Sequence, residues 1–283
     1  MATPLTALST VLADLATLGP PFTVRGPDAD AAPDGAGEGA GSVQWFSSAQ
    51  LIRPDSREIR RMVEVHAWSR GMPVGRHAGS LVFQRYCHRL CSVAAAAWVR
   101  HGAALDLAAA AVSVRFVGGT PDLLVLDRSR VVPGATAQDV LESVLDKHLL
   151  PVAQRLSDET GPGMGNLVGN IAAGFAGGFR SLARLADADR GAGGGTDRRA
   201  GSSPSAGAEE VHELAETLLS ARPELRRGGD FRVLTGPLGL RLQYDRRSCC
   251  HWYAAPDGRF CSWCSRLSCD ERTQRFRENM AAE

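Results

Sequence analysis

The sequence predicts an α+β fold, predominantly helical, with a small β-hairpin or sheet element and a C-terminal cysteine-rich loop. Three observations lead there. Apolar residues recur at helical spacing through most of residues 55–185. Two short runs, Val112-Ser-Val-Arg-Phe-Val117 and Asp122-Leu-Leu-Val-Leu126, flank Gly118-Gly-Thr-Pro121 and predict a hairpin. Beyond residue 210, two further strand-like runs lead into four cysteines packed within sixteen residues. With 283 residues, the chain can bury a full core. Its net charge of +1 gives no overall field that points to nucleic acid or an anionic membrane. Lys147 is the only lysine; the other basic residues are arginines, which suit planar, oxygen-rich anions.

Taken in order, residues 1–42 predict an amphipathic N-terminal helix and then a flexible link, since 26–42 are rich in Pro, Gly, Ala and Asp with little to bury. Acidic Asp14 inside the apolar run, and the lack of a basic leader, argue against an export signal. No uncharged run reaches the length that spans a bilayer. A soluble, cytoplasmic protein without stable membrane insertion is expected, with a peripheral place at the inner face of the cell membrane left open.

Residues 43–185 predict a mainly helical body. Ile59, Met62, Val63 and His66 mark a helix ended by Gly71-Met-Pro73, and His66 and Trp68 are candidates to face a ligand. Ser80 is expected to cap a long helix over 81–100 that Gly102 stops. Its Cys87 and Cys91 read as small apolar residues in a packed interface. After the hairpin, Val140, Val144, Leu145 and Leu149 stripe a helix that Pro151 should kink or end. The next helix follows Gly161-Pro-Gly and contains Gly169, Gly174, Gly177 and Gly178. Interior helix glycines cost about 1 kcal/mol each relative to alanine, so they imply close approach of a neighbouring backbone or bound group. Residues 186–209 read as a disordered linker. The C-terminal segment, 210–283, reads as a helix from Val211, strands around 231–234 and 238–244, and the cysteine loop.

That loop runs Cys249-Cys250-His-Trp-Tyr-Ala-Ala-Pro-Asp-Gly-Arg-Phe-Cys261-Ser-Trp-Cys264. Thiolates are natural ligands for zinc, cuprous copper and iron–sulfur clusters. Structural zinc draws its ligands from spaced pairs. Adjacent residues tend to point apart, so Cys249 and Cys250 converge awkwardly on one ion, whereas a two-iron cluster tolerates the divergence. Iron–sulfur, structural zinc, and buried or disulfide-bonded thiols are the three readings. Pro256-Asp257-Gly258 supplies a turn that brings the two halves together.

The spacing C-C-x10-C-x2-C near a C-terminus resembles the FhuF-type ferric-siderophore reductases. The resemblance implies a [2Fe–2S] cluster on Cys249, Cys250, Cys261 and Cys264, with Cys269 outside the pattern but close enough to replace a ligand. Gln84-Arg-Tyr-Cys-His-Arg-Leu-Cys-Ser92 is loosely similar to an early helix of that family, and Gly169-Asn170-Ile-Ala172 matches its G-N-x-A segment, with Val168 in place of an aromatic residue. Asn170 is then expected to hold the cluster loop, to touch a siderophore, or to bridge helices. The implied activity is one-electron reduction of siderophore-bound Fe(III), of hydroxamate type, with release of Fe(II).

No catalytic triad, carboxylate pair or H-E-x-x-H signature is present, and electron transfer needs none. No G-x-G-x-x-G run lies between a strand and a helix, so the electron is expected from an external donor such as a ferredoxin or reductase. Arginines are dense between Arg222 and Arg277, which suits an acidic donor or an anionic iron chelate. His251, Trp252, Tyr253, Phe260 and Trp263 are expected to limit water around the cysteines. The competing readings are an iron–sulfur electron carrier, a redox or iron sensor, and a zinc-stapled binding module.

Overall fold

The computed structural model describes residues 7–27, 43–127, 130–192, 207–236 and 239–281. The elements run α1 (Leu8–Thr17), β1 (Val24–Arg25), β2 (Val43–Ser47), α2 (Ser48–Leu51), α3 (Glu58–Ser69), α4 (Arg76–His101), β3 (Ala103–Leu105), β4 (Val112–Val117), β5 (Thr120–Leu126) and β6 (Val131–Pro133). Then come α5 (Ala137–Leu141), α6 (Leu150–Thr160), α7 (Met164–Ala192), α8 (Ala208–Ser220), α9 (Pro223–Arg226), β7 (Gly229–Gly236), β8 (Gly239–Arg246) and α10 (Cys269–Ala281). The α+β, mainly helical class is as the sequence predicts.

β4 and β5 form the predicted hairpin. Gly118 and Gly119 turn it at φ 55° and 70°, the left-handed pair that a two-residue connection requires. Two strands the sequence did not announce complete its sheet, in the order β1-β5-β4-β2, with β1 parallel to β5 and the other pairs antiparallel. Both are short and flank the Gly/Ala-rich stretch, of which 28–42 lie outside the described residues. β3 pairs with β6, and β7 with β8 in a separate two-stranded ribbon.

Three expectations need correction. α4 begins at Arg76 behind Gly75, so Ser80 is an interior residue and not a cap. Its hydroxyl lies 2.8 Å from Asn166 Oδ1 and 3.4 Å from the Cys250 carbonyl, contacts that join α4 to α7 and to the cysteine loop. Pro151 does not end its helix. A π-helical stretch, Glu142–Leu149, precedes it, and Pro151 takes the first turn of α6, where its missing N–H leaves fewer bonds unmade. Finally, α7 continues through 186–192 and α8 starts at Ala208, while the rest of the predicted linker, 193–206, lies outside the described residues.

The core is built on α4 against α7. A Cβ on Gly174 would stand 3.0 Å from the Cys87 backbone, and one on Gly178 would stand 2.9 Å from Ser92 Cα. The glycines thus let two helices approach more closely than any side chain would allow. Cys87 and Cys91 are fully buried there and free, and burial pushes both thiols well up. They are packing residues, as expected. Val211, Leu218, Leu225, Leu242 and Tyr244 from beyond residue 207 join the same hydrophobic cluster. Deep inside, Ser48, Tyr86 and His148 form a chain with O–O 2.8 Å and O–Nε2 2.6 Å. His148 donates from Nδ1 to Leu107 O at 2.6 Å, so its Nε2 accepts from Tyr86. No described helix is long and apolar enough to cross a membrane.

Candidate thiol site and adjoining cavity

β8 delivers the chain to the site through Arg246, its last residue, which is 2% exposed. Arg246 Nη2 donates to Asn170 Oδ1 at 2.6 Å. Asn170, fully buried on α7, donates in turn to the Ser80 carbonyl at 3.0 Å. Asn170 therefore both bridges α7 to α4 and carries the residue at the base of the cysteine loop. Gly169 leaves room for this: a Cβ there would fall 1.9 Å from Ser248 Oγ. Asn166 Nδ2 donates to the Cys249 carbonyl, so the loop is tied to α7 at its first cysteine.

The loop then turns sharply. His251 adopts φ 66°, and among the described residues it is the one non-glycine with positive φ. After this turn, backbone amides meet the sulfurs: His251 N–H donates to Cys249 Sγ at 3.4 Å, and Trp252 N–H to the Cys250 thiol. On the other arm, Cys264 N–H closes on Cys261 O at 3.1 Å, and Arg266 N–H donates to the Cys264 thiol. Gly258 makes the return, since a Cβ there would lie 2.1 Å from Trp252 O. It is the amide of His251, not its ring, that reaches a sulfur; the ring packs 4.9 Å from that of His77.

The two arms bring three of the predicted cysteines, Cys250, Cys261 and Cys264, into contact, with Cys249 close enough to feel their charge. Cys261 lies within hydrogen-bonding reach of both Cys250 and Cys264. That shared proton pulls Cys250 and Cys264 down and raises Cys261. Cys249 feels the charges of Cys250 and Cys264, and partial burial raises its thiol. Cys250 and Cys264 are buried; Cys249 and Cys261 are partly so. Cys269 is exposed at the start of α10, beyond a Ser268–Glu271 capping box. Of the aromatic residues, Trp252 and Trp263 pack against the core, whereas Tyr253 and Phe260 are each 37% exposed.

The donor chemistry fits a group that takes four thiolates and carries negative charge. Arg246 lowers the pKa of each of the four thiols, yet its Nε and Nη1 are buried with no hydrogen-bond partner. A buried guanidinium left this way costs several kcal/mol, and an anionic centre among the thiols would offset that cost. Three backbone amides already aimed at sulfur are the further feature such groups use. As the side chains stand, no described group of three or more His, Cys, Asp or Glu could hold a metal ion.

A cavity of about 330 Å³ opens against this site, with Cys250 and Cys261 in its wall. Arg70, Arg85 and Arg89 line it, with His66 and His88. Arg70 pairs with Asp257 at 2.7 Å. Arg89 is 7% exposed; it donates to the carbonyls of Pro20 and Thr23, and its Nε has no partner. Arg85 is open to solvent and has no hydrogen-bonded or ion-paired partner among the described residues, and the surrounding walls and Arg70 lower its pKa. His66 donates from Nδ1 to Gly119 O at 2.8 Å, which leaves Nε2 buried and unpartnered. Burial pushes His66 and His88 down to about 4, so both are neutral near pH 7. Trp68 is 61% exposed and lies outside the cavity lining.

Sequence reasoning singled out the four cysteines and Asn170 but not Arg246, Asn166 or the cavity arginines beside them. An arginine closing a strand directly before a cysteine pair was the one local signal for Arg246.

No family model matches the chain, and no curated protein matches it. Among solved structures it is similar to aerobactin synthetase IucC from a hypervirulent pathotype of Klebsiella pneumoniae, with 12% identity over 78% of this chain and a TM-score of 0.40. The chain spans 38% of that protein's length. A likeness of that grade does not specify an activity.

Proposed function

We propose that the chain binds a [2Fe–2S] cluster through Cys249, Cys250, Cys261 and Cys264 and reduces siderophore-bound Fe(III) one electron at a time. The observation that carries this reading is the meeting of four thiols around a buried, incompletely partnered arginine, with two of the cysteines in a cavity wall. The motif's resemblance to the ferric-siderophore reductases supports it from the sequence side.

A bound cluster would supply reversible one-electron chemistry. The chain's own residues do the rest. Asn170 holds Arg246, and Arg246 places positive charge beside the sulfurs, favouring the more negative, reduced state. Trp252 and Trp263 stand in the cavity wall and limit water there. The cavity seats the chelate within reach of Cys250 and Cys261. One electron enters from an external protein donor and one leaves to the ferric ion, giving Fe(II), while every bond of the organic ligand stays intact. Hard oxygen donors hold Fe(II) far less well than Fe(III), so the metal leaves.

The test is turnover. Protein reduced with dithionite, freed of excess reductant and mixed anaerobically with a ferric trihydroxamate should deliver about one ferrous ion per chain to a ferrous-specific chelator, since a cluster of this type passes single electrons. A centre that stays reduced in the presence of both that chelate and an anionic ferric catecholate would leave an electron carrier or sensor in place of a reductase.

A further inference from the structure

Resting on that functional reading, we propose that the cavity beside Cys250 and Cys261 is the chelate's seat, and that it selects ferric chelates of net negative charge, built on catecholate or carboxylate donors, over neutral trihydroxamates. The lining contains three arginines and no Asp or Glu. Asp257 pairs with Arg70 at 2.7 Å and reaches Arg85 only through its charge. Arg85 has no hydrogen-bonded or ion-paired partner among the described residues, and Arg89 is held in a buried position by backbone carbonyls, with one guanidinium nitrogen unspent. Solvent satisfies an isolated surface arginine, but it does not explain a buried one that hydrogen-bonds only carbonyls, with Asp122 reaching it through charge alone. A planar guanidinium matches the paired oxygens of a catecholate or carboxylate.

The site's own charge strengthens the case. A thiolate-bound cluster is anionic, so an anionic chelate approaching Cys250 and Cys261 is repelled unless cations stand between them, and Arg85 and Arg89 are on the lining that does so. Adding an electron makes the chelate one unit more negative. The same arginines therefore hold the reduced product more strongly than the ferric form, which favours the transfer. His66 Nε2, buried and unpartnered, remains as an acceptor for a hydroxyl or amide N–H of the ligand.

The experiment uses gallium(III), which matches ferric iron in size and charge but does not accept the electron, so binding is measured apart from turnover. Two hexadentate complexes with the same all-oxygen shell are titrated into the full chain and followed by tryptophan fluorescence: an anionic tris-catecholate and a neutral trihydroxamate. The anionic complex should bind at least about tenfold more tightly at low salt, and added salt should erode the difference. Arg85→Gln, at a solvent-open position with no partner to lose, should bring the two affinities to within about twofold, and Arg85→Lys should restore part of the preference. Equal affinity in the parent protein, or a preference unchanged in Arg85→Gln, would overturn the proposal. An anionic preference in protein that never acquires iron would leave the cavity assignment standing and remove the cluster. Iron-loaded protein without the preference would do the reverse.

Discussion

The contact between α4 and α7 and the loop over residues 249–264 lie side by side and differ in one respect. The helix contact is nearly complete: glycines make room for the facing backbone, Cys87 and Cys91 are buried as apolar groups, Asn170 has partners at both ends of its amide, and Ser92 Oγ is buried there unpaired. The loop is incomplete. Arg246 Nε and Nη1, the His251 ring Nδ1 and Trp252 Nε1 are buried without partners, and His251 bears a left-handed backbone. Folded proteins leave few buried polar groups unpaired, and those they leave cluster where something binds. In the loop, four such atoms gather within seven residues, whereas in the body they are scattered over several elements.

The largest effect should come from spoiling the complete region. Gly178→Val drives a branched side chain into Ser92 Cα, and chemical denaturation should show a loss of about 3 kcal/mol or more. A loss under about 1 kcal/mol would mean that α4 and α7 can move apart freely.

Next comes pH. His148 is fully buried and its pKa is depressed by burial to about 4, while the unfolded chain titrates near 6.5. The unfolded state therefore binds the extra proton first. The stability of neutral His148 is fully present above about 6.5 and is lost as pH falls toward about 4, roughly 3 kcal/mol in all. His148→Gln should flatten that part of the profile in metal-free protein, and an unchanged slope would reassign it.

A smaller effect separates the two regions directly. Arg246→Leu removes a buried, part-satisfied charge but strips the buried Asn170 Oδ1 of its donor, so the two effects offset and metal-free protein should stay within about 2 kcal/mol of the parent. Loaded protein should show a midpoint potential lower by about 60 mV, the equivalent of roughly 1.4 kcal/mol for one electron. A potential that does not move would show that Arg246 serves packing alone. The smallest effect belongs to Cys269→Ser. Cys269 is exposed and outside the thiol group, so stability should change by less than about 0.5 kcal/mol and metal content should hold.

Much of this was legible from residue order. The α3, α4 and α7 stripes, the Gly118-Gly119 hairpin, the helix glycines and the thiol spacing all rest on local rules, and the structure has each element in place. What was not legible is long-range. Arg246 and Asn170 are 76 residues apart, and nothing near either one announces the pairing. Ser80 looked like a cap because serine caps helices, but its hydroxyl serves a contact 86 residues away. Pro151 was expected to kink or end its helix; the interruption instead takes the form of a π-helical stretch before it, which side-chain periodicity does not show. The cavity draws on α3, α4, the hairpin and the cysteine loop, so it exists only after folding.

The most direct measurement is iron and acid-labile sulfide per chain, with the visible spectrum, on protein purified without oxygen. The account predicts a coloured protein with two of each per folded chain, and loss of that content in Cys250→Ser but not in Cys269→Ser. Folded protein that is colourless and holds zinc or no metal would contradict it.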